Sequence, residues 1–434
     1  MNRWILAAIL LAAATLRLGL NNVTAYSPAD ETVYASYTKT LMERGFVQGY
    51  PEIVRAFVEQ PRRWKYPSPL RWGYFLLTTF AAETYGSSDP RAIAWLSTIA
   101  GLLVVPIVFF LGRRLFNERT ALLAAAFTAV SPIELALGRR ALQDEVFCLA
   151  VVASLALVVV ALEKYRWPWI AGAIAALTLA FAVKESFLYL YPAFLVLPFL
   201  YKKPRALALF IAPPALYFLG FAALARSPLH FFRIGRIITS AMTEPYVLQY
   251  QGGPPHRLLF DFLIASPLVA ILAGAAVVSV ALARDRGRSE TVLVAFLVIG
   301  IAIFAVVPSK NLRFYVMFDP VIRLLAAWIV ARTLRTSTLV AVAACNVAID
   351  VEIFRATFID GGVYDPVTQS LLEAVGAVPH DIAPHPMMFP WVCGAIIVST
   401  WLYQSLTPAT IRTSASVSRA TASSARPSAS APSR

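Results

Sequence analysis

Apolar stretches long enough to cross a lipid bilayer recur along most of this chain, and they leave few folds open to it. They lie near residues 4–20, 92–112, 119–137, 146–162, 168–183, 187–201, 205–225, 259–283, 290–307, 316–334, 337–353 and 388–405. A helix of about 17–25 such residues spans a hydrocarbon core about 30 Å thick. Its backbone N–H and C=O groups pair within the helix, because lipid offers them no partner. The pattern predicts an all-α polytopic membrane helix bundle of about 12 transmembrane helices. Composition agrees: 59% of the 434 residues are hydrophobic and 14% are charged, against about 45–50% and 25% in a soluble domain.

A net charge of +14 would suggest nucleic acid as a partner of a soluble protein. In a membrane protein it is read by position, because short basic loops stay in the cytoplasm. Alternating the spans from a cytoplasmic N-terminus places 113–119 (RRLFNER), 163–167 (EKYRW), 201–205 (YKKPR), 284–290 (RDRGRSE) and 332–335 (RTLR) inside. All are short and basic, so no nucleic-acid partner is needed to explain the charge. Residues 1–20 read as a retained signal-anchor. The outer side receives 21–91, 226–258 and 354–387. The stretch 70–85 is apolar enough to insert, but Arg71 and Glu83 flank a short core, and counting it would invert every later loop. It is therefore expected as an interfacial helix of the first outer loop. The chain divides into a membrane domain, 1–405, with 21–91 as its outer loop, and a Ser/Ala/Arg-rich tail, 406–434, too polar to fold. Cys148, Cys345 and Cys393 sit in apolar runs as small hydrophobes. His380 and His385 (PHDIAPHP) lie in a proline-rich loop, and the residues supply no metal set.

Several charges on the outer side remain once the loops are sorted. The stretch 27–45, SPADETVYASYTKTLMERG, reads as a helix with Ser27 as cap, Pro28 in its first turn and Gly45 as its stop. Asp30, Tyr34, Tyr37 and Leu41 fall on one face of it. Asp30 and Glu31 are open to two readings: they stabilise the first-turn N–H groups, or they carry chemistry in a cavity. Lys65 stands in WKYPSP. Arg139, Arg140, Asp144 and Glu145 share ALGRRALQDEVF, Lys184 and Glu185 stand in AFAVKESFL, and Lys310 and Arg313 in VVPSKNLRFYVMFDP. Singly, each has an ordinary explanation. Arg140 and Glu145 in particular suit an ion pair on a solvated turn, and the lysines can snorkel to headgroups. Convergence is harder to explain that way, since four separate segments bring cations or carboxylates to one side. Such a pocket suits a reaction with an anionic leaving group such as a lipid phosphate.

Over about residues 1–330 these features resemble the GT-C fold membrane glycosyltransferases, in the group of the protein O-mannosyltransferases and the lipid A aminoarabinose transferase. The resemblance rests on Asp30-Glu31-Thr32 with Tyr34-Ala35 after the first span, Lys65 before PSPL, and a helix ending in Gly86. It continues through LGRRLFNERTALLAAAFTAVSP, the arginine–Asp144 turn, Lys184 in AVKESFL, and PSKNLRFYVMFDP. It implies an inverting transfer of a sugar from a polyprenyl-phosphate donor, on the outer face of the cytoplasmic membrane. Asp30 and Glu31 would be the catalytic acids, and Lys65, Arg139, Lys184, Lys310 and Arg313 the donor-phosphate ligands. Asp144 and Tyr34 would serve the acceptor side. The acceptor is left open among lipid, glycan and protein. No cofactor is assigned; the resemblance admits a divalent cation, for which Asp30-Glu31 alone offers too few ligands. The chain departs from the family in the charged pair Asp319 and Arg323 of its 316–334 span. Two other classes stay open: a flippase for lipid-linked glycans, marked by ionisable residues deep in mid-span, and a non-catalytic assembly partner in which Asp30-Glu31 is only a cap.

Overall fold

Helix is the only regular structure among the described residues of the computed structural model, residues 2–19, 28–60, 67–242 and 253–360. Helix α1 (Asn2–Gly19) leads to α2 (Pro28–Arg44), α3 (Phe46–Glu59) and α4 (Trp72–Tyr85). Gly45 separates α2 from α3 at φ +76°, a left-handed conformation that favours glycine. Gly86 ends α4 in the same region, its N–H turned back to the Glu83 carbonyl. The 14 residues of α4 reach about 21 Å at 1.5 Å per residue, too short for a span, as the interfacial reading requires. The long helix α5 (Pro90–Leu115) opens on Asp89, whose carboxylate accepts the Arg91 N–H at 2.8 Å. It is followed by α6 (Glu118–Ala129), capped by Asn117, then by α7 (Pro132–Leu137) and α8 (Asp144–Lys164).

The second half runs through α9 (Trp167–Val183), α10 (Phe187–Leu195), α11 (Leu197–Leu200), a 3-10 turn at Pro204–Phe210, α12 (Ala212–Ala225) and α13 (Leu229–Ala241). It ends with α14 (Arg257–Ala265), α15 (Pro267–Leu282), α16 (Arg288–Val306), a 3-10 segment at Leu312–Phe318, α17 (Asp319–Thr333) and α18 (Thr336–Ile353), with a π-helical turn at Phe354–Asp360. Helix α8 lies at the centre, packed on α5, α9 and the 312–318 segment, while α17 packs on α6 and α15. In these two segments 83% of the apolar window is buried, against 22% in 204–225 and 336–360. The outer helices turn Trp4, Leu11, Ile211, Leu219 and Leu282 outward, the surface expected of a bundle that meets lipid.

Among the described residues, six helical segments are long and apolar enough to cross a membrane: Pro90–Leu115, Asp144–Lys164, Pro204–Ala225, Arg288–Val306, Leu312–Thr333 and Thr336–Asp360. Three shorter apolar helices are Trp167–Val183, Phe187–Leu200 and Pro267–Leu282. Two of the twelve expected spans are broken at a proline. The 119–137 stretch breaks between α6 and α7, and 259–283 breaks between α14 and α15. In both places a Ser-Pro pair, Ser131-Pro132 and Ser266-Pro267, ends one helix and starts the next, because proline cannot donate into the preceding turn. The expected span at 388–405, the tail 406–434, Cys393 and the histidines His380 and His385 lie outside the described residues.

The interior holds a cluster of charges. Arg323 on α17 donates to Asp319 at 2.6 Å, to Asp350 of α18 at 2.7 Å and to the Phe127 carbonyl at 2.8 Å. The Ser131 hydroxyl donates to Asp319, while Ser266 and Asn346 donate to Asp350. Nearby, Arg17 of α1 pairs with Glu134 at 3.3 Å and donates to the carbonyls of Thr128 and Ala129. Glu145 is fully buried beside it: a Cβ on Gly101 would lie 2.8 Å from its Oε1 and 3.1 Å from the Arg17 Nε. The departure at Asp319 and Arg323 is thus a structural knot that joins α6, α15, α17 and α18.

Candidate active site

The site is built from the start of α2. Its Tyr34, Tyr37 and Leu41 are buried, as the shared face predicts, with Tyr34 edge-on to Tyr74 at 5.0 Å and Tyr37 edge-on to Phe75 at 5.3 Å. These ring contacts fix α2 against α4, and so fix where its first turn points. There the two acids part company. Glu31 is buried and takes a forked pair of bonds from Arg140, at 2.8 and 3.0 Å, and a third from the Ala141 N–H at 3.0 Å. Asp30 remains about one-quarter exposed and meets the Arg313 guanidinium at 2.7 Å. Burial alone would raise the Asp30 carboxyl; Arg313, then Arg71 and Lys184, more than offset it and hold the group below its ordinary value.

A third cation reaches α2 from the front of α4. Arg71 donates to the Tyr34 hydroxyl and makes two 2.7 Å bonds to Glu185. The geometry depends on Gly73, where a Cβ would come within 2.7 Å of Ala182 on α9. That close approach brings Arg71 to the loop after α9. Burial acts against the Arg71 charge, but Glu185 and Tyr34 reverse this and keep it well above its ordinary value; Glu185 is in turn held low, Arg71 outweighing its burial. Next to Glu185, Lys184 pairs with Asp144 at 2.6 Å and lies 5.3 and 4.9 Å from the ring centres of Phe147 and Phe314. Burial lowers the Lys184 ammonium, with Asp144 pulling the other way. Tyr34 closes the ring by bonding Gln143, the neighbour of Asp144.

The last wall is the 312–318 segment. The Asn311 side chain accepts the Arg313 N–H at 3.1 Å, which starts the 3-10 turn and sends Arg313 to Asp30 and Phe314 to Lys184. Lys310 lies just before it, nearly buried, donating to the Val307 carbonyl at 2.6 Å. Burial first, then Arg257, lowers its ammonium to about 8, with Asp261 opposing. Arg139 goes elsewhere. It donates to the Phe358 carbonyl and lies 5.2 Å from the Phe354 ring centre, and burial followed by Arg140 brings it down to about 10.

The structure thus gathers Asp30, Tyr34, Asp144, Lys184 and Arg313 into one connected set; Lys310 donates to the Val307 carbonyl and faces Arg257 and Asp261, and Lys65 lies outside the described residues. One expectation needs correction. Arg140 and Glu145 do not form an ion pair on a solvated turn: both are buried, Arg140 binds Glu31, and Glu145 faces Arg17. The reason is that α8 starts inside the bundle, so its first-turn acids point inward. Arg71 was read only as the flank of a short core, and Gln143 carried no signal; both hold Tyr34. Asp30 and Glu31 turn to different arginines. Among the described residues no set of three His, Cys, Asp or Glu side chains is arranged to hold a metal ion.

Comparison with known proteins agrees with this architecture. Residues 72–231 match the family model described as dolichyl-phosphate-mannose-protein mannosyltransferase. ArnT from Cupriavidus metallidurans in the apo state superposes with a TM-score of 0.58 at 15% identity, over 92% of this chain and 75% of that one. The same protein bound to undecaprenyl phosphate gives 0.56 at 15% identity, over 92% and 70%. The Archaeoglobus fulgidus oligosaccharyltransferase tethered with an acceptor peptide gives 0.57 at 14% identity, over 87% of this chain and 55% of that one. At these identities the likeness is one of fold. No curated protein matches the chain in sequence.

Proposed function

We propose that this chain, whose fold is the GT-C fold of membrane glycosyltransferases, is an inverting glycosyltransferase that takes a sugar from a polyprenyl-phosphate donor. The observation that carries the reading is the meeting of Asp30 with Arg313, within a ring of contacts that also brings Lys184 and Arg71 to the same place. The matched family is described by a dolichyl-phosphate sugar, and one similar structure holds undecaprenyl phosphate, which favours the same donor class here. The site is assigned to the outer face, because the short basic loops fall on the other side. Residues 1–405 form the catalytic membrane domain, with 21–91 as its outer loop, and 406–434 a separate tail.

The chemistry follows from the residue types. A sugar phosphate needs no protonated carboxyl behind its leaving group, because phosphate departs as an anion that cations stabilise. The acceptor hydroxyl gives its proton to the Asp30 carboxylate as its oxygen bonds to the anomeric carbon. The bond from that carbon to the phosphate oxygen breaks on the opposite face, its electron pair leaving with the phosphate. Arg313, Lys184, Lys310 and Lys65 are assigned to the phosphate, with Arg139 further out beside Phe354. Glu31 holds α2 in place through Arg140, and Tyr34 and Asp144 line the acceptor side. The buried Arg323 knot is the feature a flippase would share, but its charges are paired within the protein, with no substrate needed to satisfy them.

The full chain reconstituted in proteoliposomes, given a panel of radiolabelled polyprenyl-phosphate monosaccharides, tests the reading. Transfer or donor hydrolysis with inverted anomeric configuration is the expected result. Labelled lipid that changes leaflet without being consumed would establish the flippase instead.

A further inference from the structure

The candidate base and a candidate phosphate ligand occupy each other: the carboxylate of Asp30 is bound by Arg313 at 2.7 Å. A donor phosphate entering this site needs cations, yet Arg71, Arg140, Lys184 and Arg313 are each paired with a carboxylate. The pairs differ in how hard they are to open. Arg140 is forked onto Glu31, with both side chains at most 6% exposed. Lys184 holds a fully buried Asp144 and lies against two rings. Arg71 makes two bonds to Glu185 and a third to Tyr34. Removing a cation from such buried sets strands a carboxylate away from water. The Arg313–Asp30 pair is the most exposed of the four, with side chains 15% and 23% exposed against 9% and 18% for Arg71 and Glu185, so water can meet either partner when they separate. Opening it therefore strands the least charge away from water, and a guanidinium bonds a phosphate as well as it does a carboxylate, through the same planar fork.

On the proposed donor chemistry, we infer that Arg313 is a latch on Asp30 that the donor phosphate opens: binding of the phosphate draws Arg313 away and frees the carboxylate to take the acceptor's proton. The order of events follows. Before donor binds, Asp30 is held by a cation and is a poor base; afterwards the same cation stabilises the leaving group. The acceptor is activated only when a donor is in place, so a hydroxyl that arrives first is not deprotonated. The latch is set by elements far apart in the chain, the first turn of α2 and the 312–318 segment, and Asn311 holds the backbone of the latter in register.

Equilibrium binding of unglycosylated polyprenyl phosphate to the full chain in nanodiscs separates this from simple charge effects. Wild type is compared with Asp30→Asn, Arg313→Ala and the double variant, and Arg313→Lys serves as a milder change should Arg313→Ala fail to fold. The latch predicts that Asp30→Asn binds about two- to fivefold tighter, because Arg313 no longer has to leave a carboxylate. Loss of the Arg313 guanidinium should weaken binding, and Asp30→Asn should then give no gain. If Asp30→Asn leaves affinity unchanged or lowers it, the latch is wrong. An equal gain with and without Arg313 also refutes it, since that would report only the removal of a negative charge near a phosphate. If wild type binds no polyprenyl phosphate at all, the donor class proposed above fails and the latch falls with it.

Discussion

Of the cations proposed for the donor phosphate, Lys310 is the one whose charge should respond most to pH. Its ammonium, lowered by burial and by Arg257 to about 8, is charged below that pH and neutral above it. If it binds donor phosphate, kcat/KM should fall as pH rises past about 8, and Lys310→Arg, charged throughout, should move that fall to higher pH. A profile that stays flat to pH 10 in wild type would remove Lys310 from the phosphate site. Asp30 works in the other direction: held low by Arg313, it stays ionised below the usual carboxylate range, so it should not limit the resting enzyme at mildly acid pH. The sequence made both acids of the Asp30-Glu31 pair visible as first-turn carboxylates. It could not divide their roles, because the division depends on Arg140 and Arg313, which are more than 100 residues away.

At the scale of elements, the junction of α2 with α4 carries the site, and Arg71 is its tie. Arg71→Ala would leave Glu185 buried without its cation and Tyr34 without a donor. Breaking a buried pair typically costs about 3–5 kcal/mol, so the melting temperature should drop clearly, and sugar transfer with it. Arg71→Lys should recover part of the stability but less of the transfer, since an ammonium cannot serve Glu185 and Tyr34 with one planar fork. Unchanged melting in Arg71→Ala would mean that α2 is held by its aromatic contacts alone. The elements themselves were largely legible. Gly45 and Gly86 mark the ends of α2 and α4 because both take positive φ. The breaks at Ser131-Pro132 and Ser266-Pro267 were not, because the apolar run continues across each proline and hydropathy alone cannot see the missing N–H.

For the whole molecule, composition was enough to give an all-α membrane bundle, and the order of charged motifs was enough to suggest its fold. The charged interior was not legible. Asp319 and Arg323 stand one turn apart on α17 and could have been paired on paper, but Asp350, which completes the knot, lies on α18. Arg323→Met, close in length but uncharged, would leave two buried carboxylates facing each other, and should cost about 3–5 kcal/mol. The check is thermal unfolding in detergent; a variant as stable as wild type would show the knot to be dispensable to the fold. The account as a whole turns on Asp30, and the most direct measurement is sugar transfer by reconstituted Asp30→Asn beside wild type. Asparagine keeps the size of the side chain and some of its capping ability, but it cannot accept the proton. The account predicts a correctly folded protein whose transfer falls by roughly 10²–10⁴, the range of a lost general base. Transfer within a few-fold of wild type would contradict it and leave Asp30 as a helix cap.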